Sequence, residues 1–170
     1  PAMAAVARQL RSEAESDTLG FLHTLMSEIG DHMTFDEDPT NSGTSAAEAF
    51  TLKRGVCQDY AHIFIACART GWVPARFVSG HFLRSDGTVH QDAGHAWAEA
   101  YVPDLGWVGF DPANSICTTD AHVRVAIGLD YLGAAPVRGT RYGGGAETLS
   151  VAVKVEQAGR GGQSQSQRQS

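Results

Sequence analysis

Apolar residues recur at three- and four-residue steps from Ala4 to about Gly30, with Leu19, Leu22, Met26 and Ile29 on one stripe; this spacing predicts a helix. Gly30-Asp31 ends it. Met33 to Thr44 loses the period and carries Pro39, Asn41 and Gly43, the composition of a polar loop. Ser45-Ala46-Ala47-Glu48 has the spacing of a capping box, which predicts a short helix to about Lys53, broken by Arg54-Gly55. A more apolar helix is predicted from Cys57 to Gly71, because Tyr60, Ala61, Phe64, Ile65 and Ala68 follow Cys57 at helical spacing. A helix this apolar belongs in the centre of a fold, where packing holds its first turn rigidly.

After Gly71 the period changes. Val73 to Phe82 reads as a strand bordered by Pro74, and Ser85-Asp86-Gly87 as a turn. Gly94 to Val102 alternates, with His95, Trp97, Glu99 and Tyr101 on one face and Ala96, Ala98 and Ala100 on the other. The alanine face suits close packing against a helix. Pro103-Asp104-Leu105-Gly106 turns the chain, and Trp107 to Phe110 returns as the antiparallel neighbour. Further strands are predicted at Val123–Ile127 and Leu149–Val155. Gly143-Gly144-Gly145 reads as a flexible turn, with no lysine or helix signal after it to make a phosphate loop. Helices first and strands afterwards indicate an α+β layout.

The 170 residues suit one domain, expected over 1–157, followed by a polar tail over 158–170 expected to be disordered. A net charge of −6, with no basic stripe, argues against nucleic acid as a partner. No stretch approaches the roughly 20 apolar residues of a membrane span, so no membrane partner is expected. Three cysteines cannot all pair with one another, and their spacing suggests no disulfide framework. With no signal-like N-terminus, the expected location is cytoplasmic. The start Pro1-Ala2-Met3 has the look of a fragment or of a cloning scar, and the first of these implies an upstream segment.

The candidate chemistry begins at Cys57. A thiol in the first turn of a helix lies beside aligned backbone N–H groups, whose partial positive charge favours thiolate. Gly55 is expected to let the chain turn sharply and leave the sulfur open. A thiolate nucleophile needs an imidazole beside it and an acceptor to orient that imidazole. His95 opens its strand directly after Gly94, where Trp97 and Tyr101 on the same face can wall a substrate groove. Asp111 ends the neighbouring strand. With Val102 and Trp107 flanking the turn, however, a bulge-free hairpin sets His95 opposite Asn114 and Asp111 opposite Ala98, facing the other side. Either a bulge near Gly109 or Pro112 shifts the register, or Asn114 is the orienting group.

Three motifs occur in order: Gly55-Val56-Cys57-Gln58-Asp59-Tyr60-Ala61-His62, then Gly94-His95-Ala96-Trp97-Ala98-Glu99, then Gly106-Trp107-Val108-Gly109-Phe110-Asp111-Pro112. Together they resemble the transglutaminase-like superfamily, in particular its bacterial cysteine-protease-like branch. The likeness continues through His122–Tyr131 and covers roughly residues 45–155. The resemblance implies a papain-like core with N-terminal helices, a central helix carrying the nucleophile and an antiparallel sheet. It implies Cys57, His95 and Asp111 as the catalytic triad of a cofactor-free enzyme acting on amide bonds of a peptide or protein substrate through a thioester. Hydrolysis is favoured, with transfer to an amine or a non-catalytic peptide-binding module as the alternatives. Leu129 departs from the pattern, standing where bacterial relatives usually carry Arg in a Gly-Arg-Asp-Tyr run.

Gln58, Asp59, Tyr60 and Trp97 are the expected substrate contacts, although packing and capping explain Asp59, Tyr60 and His62 as readily. Cys67, ten residues after Cys57, points to another face and is expected to be structural, as are Cys117, His122 and Asp130-Tyr131. The chain has seven histidines, of which His81, His90 and His95 cluster most closely in sequence. They lack the spacing of a zinc framework, and no metal is expected.

Overall fold

The N-terminal apolar stretch folds as two helices instead of one. The computed structural model describes residues 2–91, 93–135 and 152–157. In it α1 spans Ala2–Glu13 and α2 spans Thr18–His32. The interruption is local: Glu15 takes a left-handed φ of 49°, and the Asp17 carboxylate caps the second helix by accepting the Gly20 N–H at 2.8 Å. The apolar period runs across this break without losing phase, so the pattern does not reveal it. The loop expected next begins with a two-residue strand, β1 (Thr34–Phe35). After α3 (Ala46–Leu52) comes β2 (Arg54–Gly55), which pairs parallel to β1. The Ser45–Glu48 capping box forms as predicted: the Ser45 N–H donates to Glu48 Oε2 at 2.9 Å, and Ser45 Oγ accepts the Glu48 N–H at 3.3 Å.

The central helix α4 spans Cys57–Thr70. Tyr60, Ala61, Ile63, Phe64, Ile65, Cys67 and Ala68 are buried, with α1, α2 and α3 packed against it and the sheet alongside. The strands follow as β3 (Ala75–Phe82), β4 (His90–Gln91), β5 (His95–Val102), β6 (Gly106–Asp111), β7 (Ile116–Cys117) and β8 (His122–Gly128). A short helix α5 (Tyr131–Ala134) and strand β9 (Val153–Lys154) complete the described elements. Five strands form one antiparallel sheet in the order β7-β6-β5-β3-β8, and β4 pairs with β9 separately. The alanine face of β5 packs on α4 as expected; Ala96, Ala98 and Ala100 are all buried. Phe64 stacks on Phe110 at 5.1 Å between ring centroids, joining the helix to β6. Of the strand expected over Leu149–Val155, the described part is confined to Val153–Lys154. Leu149 to Val151, Gly143-Gly144-Gly145 and the tail over 158–170 lie outside the described residues.

The β5–β6 hairpin corrects the expected register by one residue. Val102 pairs with Gly106 and Tyr101 with Trp107, so the returning strand starts at the glycine. Asp104 and Gly106 both have positive φ, 65° and 82°, which lets the turn close in three residues. Neither a bulge near Gly109 nor one at Pro112 is needed. Continuing the register one step beyond Ala98–Phe110 sets Asp111 beside Trp97, on the face that carries His95.

A bulge occurs elsewhere, in β3–β8 between Ser79 and Gly80. Gly80 has no space for a side chain: a Cβ there would lie 2.6 Å from Trp97 Cη2 and would also clash with the Val123 carbonyl. Gly80→Ala is therefore expected to destabilise the fold by about 1–3 kcal/mol through overpacking. The shift of the urea midpoint at unchanged m-value measures this. A shift below about 0.5 kcal/mol, the range of ordinary surface substitutions, would mean that both the Trp97 ring and the β8 backbone at Val123 can step aside.

Candidate active site

The first turn of α4 is fixed by Asp59. Its Oδ2 accepts the Val56 N–H at 2.9 Å and the Thr40 hydroxyl at 2.6 Å, tying the incoming chain and the preceding loop to the helix start. Gly55 is needed here for space, not for a sharp turn. Its φ is not in the left-handed region, and a Cβ on it would meet Asp59 Oδ2 at 2.5 Å and Asp59 Cβ at 2.9 Å. Cys57 is thereby held at the helix N-terminus, partly exposed and unpaired with any other cysteine.

His95 and Asp111 meet across the β5–β6 pair. His95 Nε2 lies 2.6 Å from Asp111 Oδ2, with the carboxylate fully buried and the imidazole nearly so. Asn114 Nδ2 lies 3.4 Å from the same ring nitrogen, and the Cys57 thiol is near enough to act on the charge of the imidazole. With Nε2 facing the carboxylate, Nδ1 is the nitrogen left for a further partner. Asn114, the alternative orienting group, supports Asp111 instead: its Nδ2 donates to Oδ2 at 2.7 Å and its backbone N–H to Oδ1 at 3.3 Å. His122 is brought to the same carboxylate, with Nε2 3.2 Å from Oδ2. The sequence reading set His122 aside as structural. Its signals were its place at the head of an apolar strand and at the start of the stretch His122–Tyr131 that continues the family likeness; that strand lies two places from β5 in the sheet.

Burial would lower the His95 pKa, but hydrogen bonds and charge from Asp111 and Cys57 outweigh it and raise it to about 9. Burial would likewise raise the Asp111 carboxyl. The bonds from His95, Asn114 and His122 and the charge of His95 reverse this and hold it below the ordinary carboxylate range. Cys67 is buried, and desolvation pushes its thiol up to about 12. Burial also pushes Cys117 up.

Of the residues expected to contact substrate, Gln58 is partly exposed beside Cys57. Asp59, Tyr60 and Trp97 are buried: Asp59 caps, Tyr60 packs in the core, and Trp97 fills the space left by Gly80. His62 accepts the Tyr131 N–H at 3.2 Å, and Asp130 caps α5 through the Gly133 N–H at 2.8 Å. Leu129 is exposed, and its carbonyl receives Arg69 at 2.8 Å.

Ligand atoms of His95, Asp111 and His122 lie within 4.8 Å of one another, a grouping that His81 and His90 do not join among the described residues. The geometry is that of hydrogen bonding. The Thr119 N–H donates to His122 Nδ1 at 3.1 Å, so His122 Nε2 carries the hydrogen and points it at Asp111. Coordination through that Nε2 would force a hydrogen onto Nδ1, against the Thr119 donor.

The sequence profile of the transglutaminase-like superfamily matches residues 4–112. An uncharacterised protein of Mycobacterium leprae is 35% identical over 120 residues, covering 68% of this chain and 42% of that protein. A protein-glutamine gamma-glutamyltransferase of Pseudomonas aeruginosa is 33% identical over 109 residues, covering 56% of this chain and 16% of the enzyme. Among solved structures, a Cytophaga hutchinsonii protein with a provisional cysteine-protease name superposes with a TM-score of 0.65 at 23% identity, over 89% of this chain and 53% of that one. That likeness is one of fold, and the chain spans about half or less of each of these relatives. The matched stretch of the chain includes Cys57, His95 and Asp111, and the chain belongs to the transglutaminase-like superfamily.

Proposed function

We propose that this chain carries the catalytic site of a cysteine-nucleophile enzyme that opens amide bonds of peptide or protein substrates through a thioester and releases the product by hydrolysis. The observation that carries this reading is His95 held at 2.6 Å from a buried Asp111, with Cys57 at the start of α4 acting on the same imidazole. The Cys57 thiolate attacks the carbonyl carbon, and the Cys57 N–H, among the unpaired donors of the helix start, faces the developing oxyanion. His95 gives its proton to the leaving nitrogen as the C–N bond breaks, leaving a thioester. Water then yields its proton to His95 and attacks the thioester carbonyl, freeing the acid and regenerating the thiolate. These steps use no cofactor.

A second reading, transfer of the acyl group to a primary amine, is favoured by the likeness to the Pseudomonas aeruginosa glutamyltransferase. The two reactions share every step up to the thioester and diverge in which nucleophile reaches it. A labelled primary amine supplied with a glutamine-containing peptide separates them. The hydrolytic reading predicts glutamate formation with no label retained; stoichiometric incorporation would establish transfer.

Iodoacetamide at pH ~6 should alkylate Cys57 about 10–100-fold faster than a free thiol, which is under about 1% ionised there. Peptide mapping separates this from Cys117, and Cys57→Ala removes the signal. A rate equal to that of a free thiol would point to a peptide-binding module on the same fold.

The raised His95 pKa also makes stability depend on pH. The folded state holds this proton more tightly than the unfolded chain, so the contribution is complete below pH ~6.5 and lost as pH rises through about 9. Urea titrations at pH 6, 8 and 10 should show the decline, and Asp111→Asn should flatten it.

A further inference from the structure

Asp111 is held by more partners than the orientation of one imidazole requires. Its Oδ2 faces three nitrogen donors, His95 Nε2 at 2.6 Å, Asn114 Nδ2 at 2.7 Å and His122 Nε2 at 3.2 Å. Asn114 lies in the loop that follows β6, whereas His122 comes from β8, separated from β6 by β5 and β3. The His122 side chain is only 2% exposed. Its ring packs on Phe82 at 4.6 Å and edge-on to Trp97 at 5.3 Å, over the part of β3 where Gly80 leaves room for the indole. The Thr119 N–H on Nδ1 fixes the tautomer, so Nε2 donates. A ring packed on two aromatic faces, with both nitrogens assigned, is built to present one N–H to one oxygen.

We propose that His122 is a positioning residue for Asp111, holding the carboxylate in the orientation that meets His95. The role rests on the reading that Cys57 and His95 perform the chemistry, because Asp111 acts on the sulfur only through that imidazole. A metal-ligand role for His122 is disfavoured by the Thr119 donor. The titratable groups around Asp111 are His95 from β5, His122 from β8 and, through His95, Cys57 from α4; Asn114 adds an uncharged donor.

Two variants separate donation from space filling. His122→Gln keeps an N–H near the Nε2 position, whereas His122→Leu fills the volume without it. In His122→Leu, carboxyl-selective carbon-13 NMR should show Asp111 protonating about one pH unit higher, the scale of one charge-assisted hydrogen bond. The acid limb of Cys57 alkylation should move up the pH scale by the same amount. His122→Gln should stay within about threefold of the wild type in both measurements. An unmoved Asp111 titration in a folded His122→Leu protein, or a Gln variant as impaired as Leu, would overturn the proposal. Should the Leu variant fail to fold, nitrogen-15 imidazole shifts of the wild type decide: hydrogen on His122 Nε2 supports the role, and hydrogen on Nδ1 refutes it. The Asp111 titration needs no reactive thiol, so it stands even if alkylation of wild-type Cys57 were slow and the enzymatic reading failed.

Discussion

A carboxylate stripped of water costs several kcal/mol unless donors replace the lost solvent, and Asp111 is fully buried. Its donors arrive from three places in the chain: the start of β5, the loop after β6 and the start of β8. Their convergence offsets the cost of burying the charge, which ties the site to the strand order. The outer face of the sheet repeats the device one step along β5. Glu99 is buried there and bonded by Arg76 from β3 at 2.7 Å and Arg124 from β8 at 2.8 Å, with Arg76 stacked over Trp107. Strand β8, at the sheet edge, thus supplies one donor to each buried carboxylate. Past the bulge at Gly80, Arg124 pairs with Gly80 and His122 with Phe82, which puts both on the face of His95 and Trp97.

The opposite face of the sheet is governed by packing. Three alanines on β5 let α4 approach closely, and the N-terminal helices close over the far side of α4. The thiol of Cys57 is the exposed end of this buried rod. The Asp59 cap, the missing side chain of Gly55 and the Thr40 hydroxyl keep that end from fraying. Helix termini are ordinarily the loosest part of a helix, so such support matters where a sulfur must stay aligned with a ring on another element. His95 has the matching support from Asp111. The site is therefore a junction between two rigid bodies, helix and sheet, each with its own buried carboxylate.

Much of this was legible in the residues. Alternation gave β5 its two faces, helical spacing gave α4 its buried face, and Ser45–Glu48 marked the start of α3. The misreadings have physical causes as well. The break between α1 and α2 lies in phase with the apolar stripe, so periodicity passes over it, and Asp17 capped a helix already counted as begun. The hairpin register hinged on whether Gly106 belongs to the turn or to the strand. A glycine with φ of 82° can serve as either, and one residue of slip reverses the face of Asp111. Asp59, Tyr60 and Trp97 sit next to Cys57 and His95 in sequence, but the helix and strand turn them inward.

The sequence alone determined which groups are present and how each element is patterned: a thiol at a helix start, a histidine at a strand start, an aspartate at a strand end. Those are local properties, set by period and by the chemistry of caps and turns. Tertiary structure decided which face Asp111 takes and which partners its carboxylate gathers. It alone brought His122, on a strand two places from β5, to the same oxygen as His95. Sheet order and hairpin register are non-local, fixed when every buried polar group must find a partner at once, and no stretch of chain read by itself carries that condition.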